Sequence, residues 1–153
     1  MNSLKEGLPK GAVNGWFLTG DPISIPVNMY PTVIVMLDSQ RNGVGPTSQD
    51  LVEDTTIIKL VYNKKDDLGA SWKQDMTREK IRRIIGQRDP VTHEYLPSTV
   101  LGIIRQNYTQ GKRFTLQSVS IQYDVVPRPS DVLAEEAWIT VVTNEYITIN
   151  NRQ

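Results

Sequence analysis

Apolar residues along this chain gather into a few short, dense runs separated by polar and glycine-rich stretches. Residues 30–37 read YPTVIVML. Thr32, Ile34 and Met36 alternate with Val33, Val35 and Leu37, so both faces of an extended chain are apolar there. A strand covered on both sides has this pattern. The Val and Ile content favours strand over a short helix. Residues 55–62, TTIIKLVY, repeat the arrangement, with Thr56, Ile58, Leu60 and Tyr62 on one face and Ile57, Lys59 and Val61 on the other. Two longer alternating runs close the chain. From Phe114 to Val126 the phase of the alternation slips at Ser118, as a β-bulge requires. From Ala137 to Ile149, Ala137, Ile139 and Val141 oppose Trp138, Val142 and Tyr146.

Between these pairs of runs the period changes to that of a helix. Ser71 and Gln74 have the spacing of a capping box, and Asp75 is a competing start signal. The spacing of Trp72, Met76, Ile81, Ile84 and Ile85 predicts a helix ending near Ile85, with Gly86 as a left-handed stop. Arg78, Glu79, Arg82 and Arg83 fall mostly off that stripe, on the outer face. Pro97 suits a first helical position, Ser98 reads as a helix-start residue, and a second helix is expected to about Asn107. It buries Val100, Ile103 and Ile104, with Leu101 flanking, and Asn107 and Gly111 end it.

The remaining stretches read as irregular. Residues 1–29 hold Gly7, Gly11, Gly15, Gly20, Pro9, Pro22 and Pro26, which favour an extended arm. Trp16, Phe17 and Leu18 in its middle anchor it in a groove of this subunit or a neighbour. Residues 38–54, DSQRNGVGPTSQDLVED, read as a long loop of the kind that is functional or orders against a partner. The expected fold is therefore α+β: a mostly antiparallel sheet with two helices packed on one face. The extended N-terminal arm covers residues 1–29, a long loop joins the first two strands, and residues 30–153 form a single domain.

Composition narrows the function classes. The chain has 153 residues and no cysteine, which removes thiol nucleophiles, thiolate metal sites and disulfides. No apolar run approaches the ~20 residues of a membrane helix. The first residues lack a signal-peptide core, so a soluble protein without a cleaved leader is expected. Net charge is zero, yet residues 73–113 carry +5 while residues 1–72 and 114–153 carry −2 and −3. Bulk electrostatic binding of nucleic acid needs a clear basic excess. Segregated charge on a neutral chain suits copies that meet head to tail.

Candidate chemistry concentrates in residues 78–95, REKIRRIIGQRDPVTHEY. His93 is the sole histidine, and with Asp89 and Glu94 it offers an acid–base set for a small hydrolase or transferase. The same residues also suit a polar connector between two helices. Arg78, Arg82, Arg83 and Arg88 could cradle phosphate, form a solvated helix face or form an interface stripe, with Arg82, on the outer stripe with Arg78, the best candidate to pair an acid such as Glu135 or Glu136 of another subunit. Gly43-Val44-Gly45-Pro46 lacks the Gly-Lys-Ser/Thr ending of a phosphate loop, and no Gly-x-Ser-x-Gly elbow occurs. Lys112-Arg113-Phe114 with Tyr108 hints at single-strand nucleic-acid binding through the basic 73–113 region. No metal or cofactor site is indicated.

The runs TVIVML and TTIIKLVY, the helical pair TREKIRRII and STVLGIIRQ, and the closing runs FTLQSVSIQYDVVPRPSD and EEAWITVVTNEYITI together resemble the tail-terminator and neck (head-to-tail joining) proteins of tailed bacteriophages. The resemblance runs from about Thr55 to Ile149 and lies in element order, size and strand character. It implies a virion structural protein, assembled in the host cytoplasm, that forms a homo-oligomeric ring, usually a hexamer. Such a ring caps the tail tube and joins it to the head connector. The implied partners are the chain itself, tail tube or sheath and connector proteins, with DNA only as passing cargo. The family offers no catalytic residue or cofactor to carry over. The expected ring contacts are Trp16, Phe17, Arg78, Arg82, Trp138 and Tyr146. Trp138, Val142 and Tyr146 enter because helices on one face leave the other face of the last strand to be covered.

Overall fold

The computed structural model describes residues 2–44, 49–64, 76–109 and 115–148. The chain forms a short helix α1 (Asn2–Gly7), an edge strand β1 (Gly15–Phe17), a 3-10 turn (Val27–Met29) and two long strands, β2 (Thr32–Val44) and β3 (Gln49–Asn63). Helices α2 (Met76–Gly86) and α3 (Val100–Thr109) follow, and strands β4 (Thr115–Arg128) and β5 (Val132–Thr148) close it. The sheet order is β1-β2-β3-β5-β4. Only β1 runs parallel to its neighbour; the other three pairings are antiparallel. The fold is α+β with a mostly antiparallel five-stranded sheet, as the alternation pattern predicts.

The two faces of the sheet have different covers. On the first, Val33, Val35, Ile58, Leu60, Tyr62, Ala137, Ile139 and Val141 pack with Ile81 and Ile85 of α2 and with Val100, Leu101, Ile103 and Ile104 of α3. Leu4 and Leu8 join this cluster. On the second face Ile34, Val61 and Ala134 pack with Ile25, Tyr30 and Val132, and Phe17 and Met29 lie against them. The period-2 assignment of faces in the strands holds because a strand's side chains alternate sides. The phase slip at Ser118 is a register shift between Leu116 and Ser118 in the β4–β5 pairing.

Several boundaries differ from the sequence reading, each for a physical reason. The long loop at 38–54 is mostly strand: β2 continues to Val44 and pairs through Val44↔Asp50, so the connection shrinks to residues 45–48. The apolar pattern marks strands that are buried, and residues 37–42 are exposed. The arm is not wholly extended. Leu4 and Leu8 stand four residues apart and are 3% and 6% exposed, so α1 docks as one helical turn on α3 despite Gly7 and Pro9. Trp16 and Phe17 anchor the arm on its own chain, one on each face of the sheet. There are three helices rather than two among the described residues. β5 begins at Val132, before Ala137, because Glu135 and Glu136, which read as polar, are fully buried. The start signals Ser71, Gln74 and Asp75, with Trp72, Gly111, Lys112, Arg113, Phe114 and Ile149, lie outside the described residues.

The end of α2 is set by packing and the start of α3 by a cap. Gly86 closes α2 without adopting a positive φ. A Cβ there would sit 3.1 Å from Leu101 Cδ1 and 3.3 Å from Tyr95 Cε1, so close approach rather than left-handed backbone asks for glycine. α3 starts one residue after Thr99, not at Pro97. The Thr99 hydroxyl accepts from Gly102 N at 3.1 Å and donates to Leu96 O at 2.7 Å, an N-cap. Gly102 tests local propensity against packing. Alanine is favoured over glycine inside a helix by about 1 kcal/mol, but a Cβ at 102 collides with the Leu96 carbonyl oxygen. We expect Gly102→Ala to destabilise by about 1–2 kcal/mol net, within the usual range for overpacking, as a lowered urea midpoint. An unchanged or raised midpoint contradicts this.

Candidate interaction surfaces

Residues 78–95 divide into three parts with different work. Arg78 faces the sheet. Its Nε donates to Glu135 Oε1 at 2.6 Å, Lys64 Nζ reaches Glu135 Oε2 at 3.4 Å, and the guanidinium lies 5.7 Å from the Tyr123 ring centroid. Glu135 is wholly buried on the helix-covered face. The expected pairing of Arg82 with Glu135 or Glu136 of another subunit is therefore not available. Both acids are enclosed and matched within their own chain, because buried carboxylates require partners wherever the fold places them.

Glu136 anchors the second such set, on the opposite face. Arg128 grips it through two bonds of 2.9 Å, from Nε to Oε2 and from Nη2 to Oε1, the fork geometry that makes such pairs strong. Trp138 Nε1 donates to the same carboxylate at 3.0 Å. Arg128 Nη1 continues to Asp21 at 2.9 Å, Lys59 Nζ reaches Asp21 at 2.7 Å, and the Lys59 ammonium lies 4.5 Å from the Trp138 ring centroid. Burial pushes the Asp21 carboxyl up, but the bonds and charges of Lys59 and Arg128 outweigh it and hold it below the ordinary value. Burial likewise pulls the Arg128 guanidinium down, and Glu136 and Asp21 more than reverse the effect. This network ties the arm, at Asp21, to three strands of the sheet.

Asp89, His93 and Glu94 make a turn. One oxygen of Asp89 accepts from Val91 N at 2.7 Å and Thr92 N at 3.0 Å, an Asx-type turn. His93 N donates to Asp89 O at 2.9 Å and Asp89 N to Glu94 O at 2.8 Å. Those backbone bonds from Thr92 and Val91 hold the Asp89 carboxyl below its ordinary value. His93 is exposed with φ 61°, and no hydrogen bond or ion pair joins its ring to Asp89 or Glu94. The geometry serves the connector between α2 and α3.

Beside this turn lies a groove of about 490 Å³ with Arg82, Arg83 and Arg88 on its walls and Tyr95, Tyr123 and Ile121 among its lining. Arg82 and Arg83 side chains are 65% and 67% exposed and share Glu79 at 3.8 and 3.6 Å, surface pairs that hold a guanidinium weakly. Arg88 stacks 5.1 Å from the Tyr95 centroid. Burial pushes the Tyr123 phenol up, against the pull of Arg82 and Arg78.

The second face of the sheet changes character past Lys59. Toward β1 it is covered by Ile25 and Tyr30. Beyond Lys59, Met36, Ile57, Trp138, Thr140 and Val142 are only half-buried, and Tyr146 is 57% exposed. Of the residues expected at an interface, Trp16, Phe17 and Arg78 are engaged in the chain's own packing. Arg82 and Tyr146 are open to solvent. Trp138 is partly roofed by Lys59 and Glu136. The buried acids at 135 and 136 escape sequence reading, because a strand that alternates cleanly gives no sign that its charged positions point inward. Their one signal is the abundance of arginine and lysine on facing elements. Among the described residues no helix is long and apolar enough to cross a membrane. No protein-family model and no curated protein matches the chain.

Proposed function

We propose that this chain is a structural subunit of a bacteriophage neck or tail, one copy of a ring that caps the tail tube and joins it to the head connector. The carrying observation is the half-open second face of the sheet. Met36, Ile57, Trp138, Val142 and Tyr146 lie along it, and none is buried. Monomeric domains rarely leave a contiguous apolar sheet face uncovered, and such faces mark contact sites. The resemblance in element order to tail-terminator proteins supplies the biological setting. A catalytic reading on Asp89, His93 and Glu94 has less support, since Asp89 is committed to backbone amides and His93 points to solvent.

Light scattering on a size-exclusion column tests this. We expect a discrete oligomer whose population rises with protein concentration. Val142→Ser paired with Tyr146→Ser shifts it toward monomer while the circular dichroism spectrum is kept. A strictly monomeric chain at high concentration, alone and with tail-tube ends added, overturns the reading.

A further inference from the structure

The charge segregation seen in the sequence becomes two separate surfaces in the fold. The first is the basic groove. Three guanidinium groups, Arg82, Arg83 and Arg88, line it against the single acid Glu79. The second is the far end of the sheet, where β2, β3 and β5 run on together past the bulge at Leu37/Ser39. Residues 38–44, 49–55 and 142–148 there hold five carboxylates, Asp38, Asp50, Glu53, Asp54 and Glu145, against one base, Arg41. Asp54 accepts a neutral hydrogen bond from Gln40 at 2.8 Å. No ion pair is formed by Asp38, Asp50, Glu53 or Asp54 among the described residues. Asp50, Asp54 and Glu145 project to the helix-bearing side of the sheet, since Asp54 and Asp50 keep the parity of Ile58 and Leu60, and Glu145 pairs with Val52.

The two surfaces cannot meet within one chain. The groove lies at the level of Ile121 and Tyr123, which align through Ile139 and Ala137 with Ile58 and Leu60 of β3. From Ile58 to Asp54 and Asp50 is roughly 13 to 27 Å along β3, at about 3.4 Å per residue, and β5 intervenes between β3 and β4. The groove is on the β4 side of the sheet and the acidic end is centred on β2 and β3, toward the opposite side. Two complementary patches at different places on one molecule give a heterologous contact, which closes into a ring or grows as a filament.

We infer that the Arg82–Arg83–Arg88 groove is the receptor for the acidic sheet end of a second copy, with Asp50 and Asp54 seated against the guanidinium groups. This rests on the ring reading given above and names the contact that builds it. Carboxylates suit the site because a guanidinium presents paired donors to a carboxylate. Tyr95 and Tyr123 supply flat walls for an extended strand end. Leu101 and Ile121 add apolar surface between the guanidinium groups.

The test is charge reversal in the full chain, read by sedimentation velocity at low and moderate salt. Arg82→Glu with Arg83→Glu, or Asp50→Lys with Asp54→Lys, is expected to weaken self-association by about 100-fold, since two attractive contacts become repulsive. An equimolar mixture of the two variants is expected to recover association, because each then offers the sign the other lacks. Circular dichroism reports whether each variant keeps its fold, and the corresponding glutamine and asparagine variants serve where a reversal does not. Association untouched by either reversal overturns this contact while leaving a ring through other surfaces standing. A wild-type chain monomeric throughout overturns both. Loss in each variant without recovery on mixing overturns the pairing. So does a groove that binds a single-stranded oligonucleotide through Arg82 and Arg83 while self-association is unaffected by their reversal.

Discussion

Arg128→Ala is expected to remove about 3–5 kcal/mol of folding stability, the range for stripping one partner from a buried ion pair. For a domain whose total is about 5–15 kcal/mol, that is a large share. The Glu136 side chain is 0% exposed and Arg128 11%, so water cannot take over the carboxylate's bonds when the guanidinium goes. Trp138 Nε1 remains as a donor, but a neutral indole does not balance a charge. The same change leaves Asp21 with Lys59 alone. Urea unfolding followed by Trp fluorescence measures the loss. The double variant Arg128→Met, Glu136→Leu should recover most of it, because replacing both members of a buried pair with apolar groups of similar volume is often nearly neutral. A single-variant loss below about 1 kcal/mol contradicts the account. The network also gives a pH signature. The folded-state pKa of Asp21 lies below its unfolded value, so its contribution is present above the unfolded value near 4 and is lost as pH falls through the folded one. Acid should therefore loosen the arm at residues 18–31, visible as faster amide exchange at Ile25 and Tyr30.

The elements whose side chains are buried by period were legible in the sequence. The faces of residues 32–35 and 58–62, the bulge at Ser118 and the apolar stripe of Ile81, Ile84 and Ile85 all follow from which positions need covering, whereas Leu37, apolar in the same run, is exposed. Residues 38–44 were not legible as strand, because their ladder is held by backbone bonds to β3 with exposed side chains, and such a strand has no apolar signature. α1 was hidden by Gly7 and Pro9, although Leu4 and Leu8 carry helical spacing. Glu135 and Glu136 show the deeper limit. Pattern reading assigns charge to solvent, and only the tertiary fold reveals that Arg78 and Arg128 arrive from opposite sides to meet these two neighbours. The groove was half legible: its arginines stand out in the sequence, but Tyr123 is brought beside them only by the return of β4.

Arg78 and Arg82, one helical turn apart and alike in the sequence, are expected to behave differently when removed. Arg78→Ala leaves Glu135, a fully buried carboxylate, with the more distant Lys64 at 3.4 Å. It also removes a guanidinium from above Tyr123. Deleting a partner of a buried charge costs several kcal/mol, and the 39% exposure of the Arg78 side chain places the expected loss near the lower end, about 2–3 kcal/mol. Arg82 is 65% exposed and 3.8 Å from Glu79, a surface pair of at most a few tenths of a kcal/mol. Arg82→Ala should leave the urea midpoint within about 0.5 kcal/mol of the parent yet weaken self-association. Arg78→Ala should lower the midpoint at protein concentrations where only monomer is present. A double-mutant cycle with Glu135→Gln separates the two roles, since Arg78 and Glu135 should show coupling of about 1–3 kcal/mol and Arg82 and Glu135 none. Equal and small losses from both arginines would place Arg78 on the outer face with Arg82.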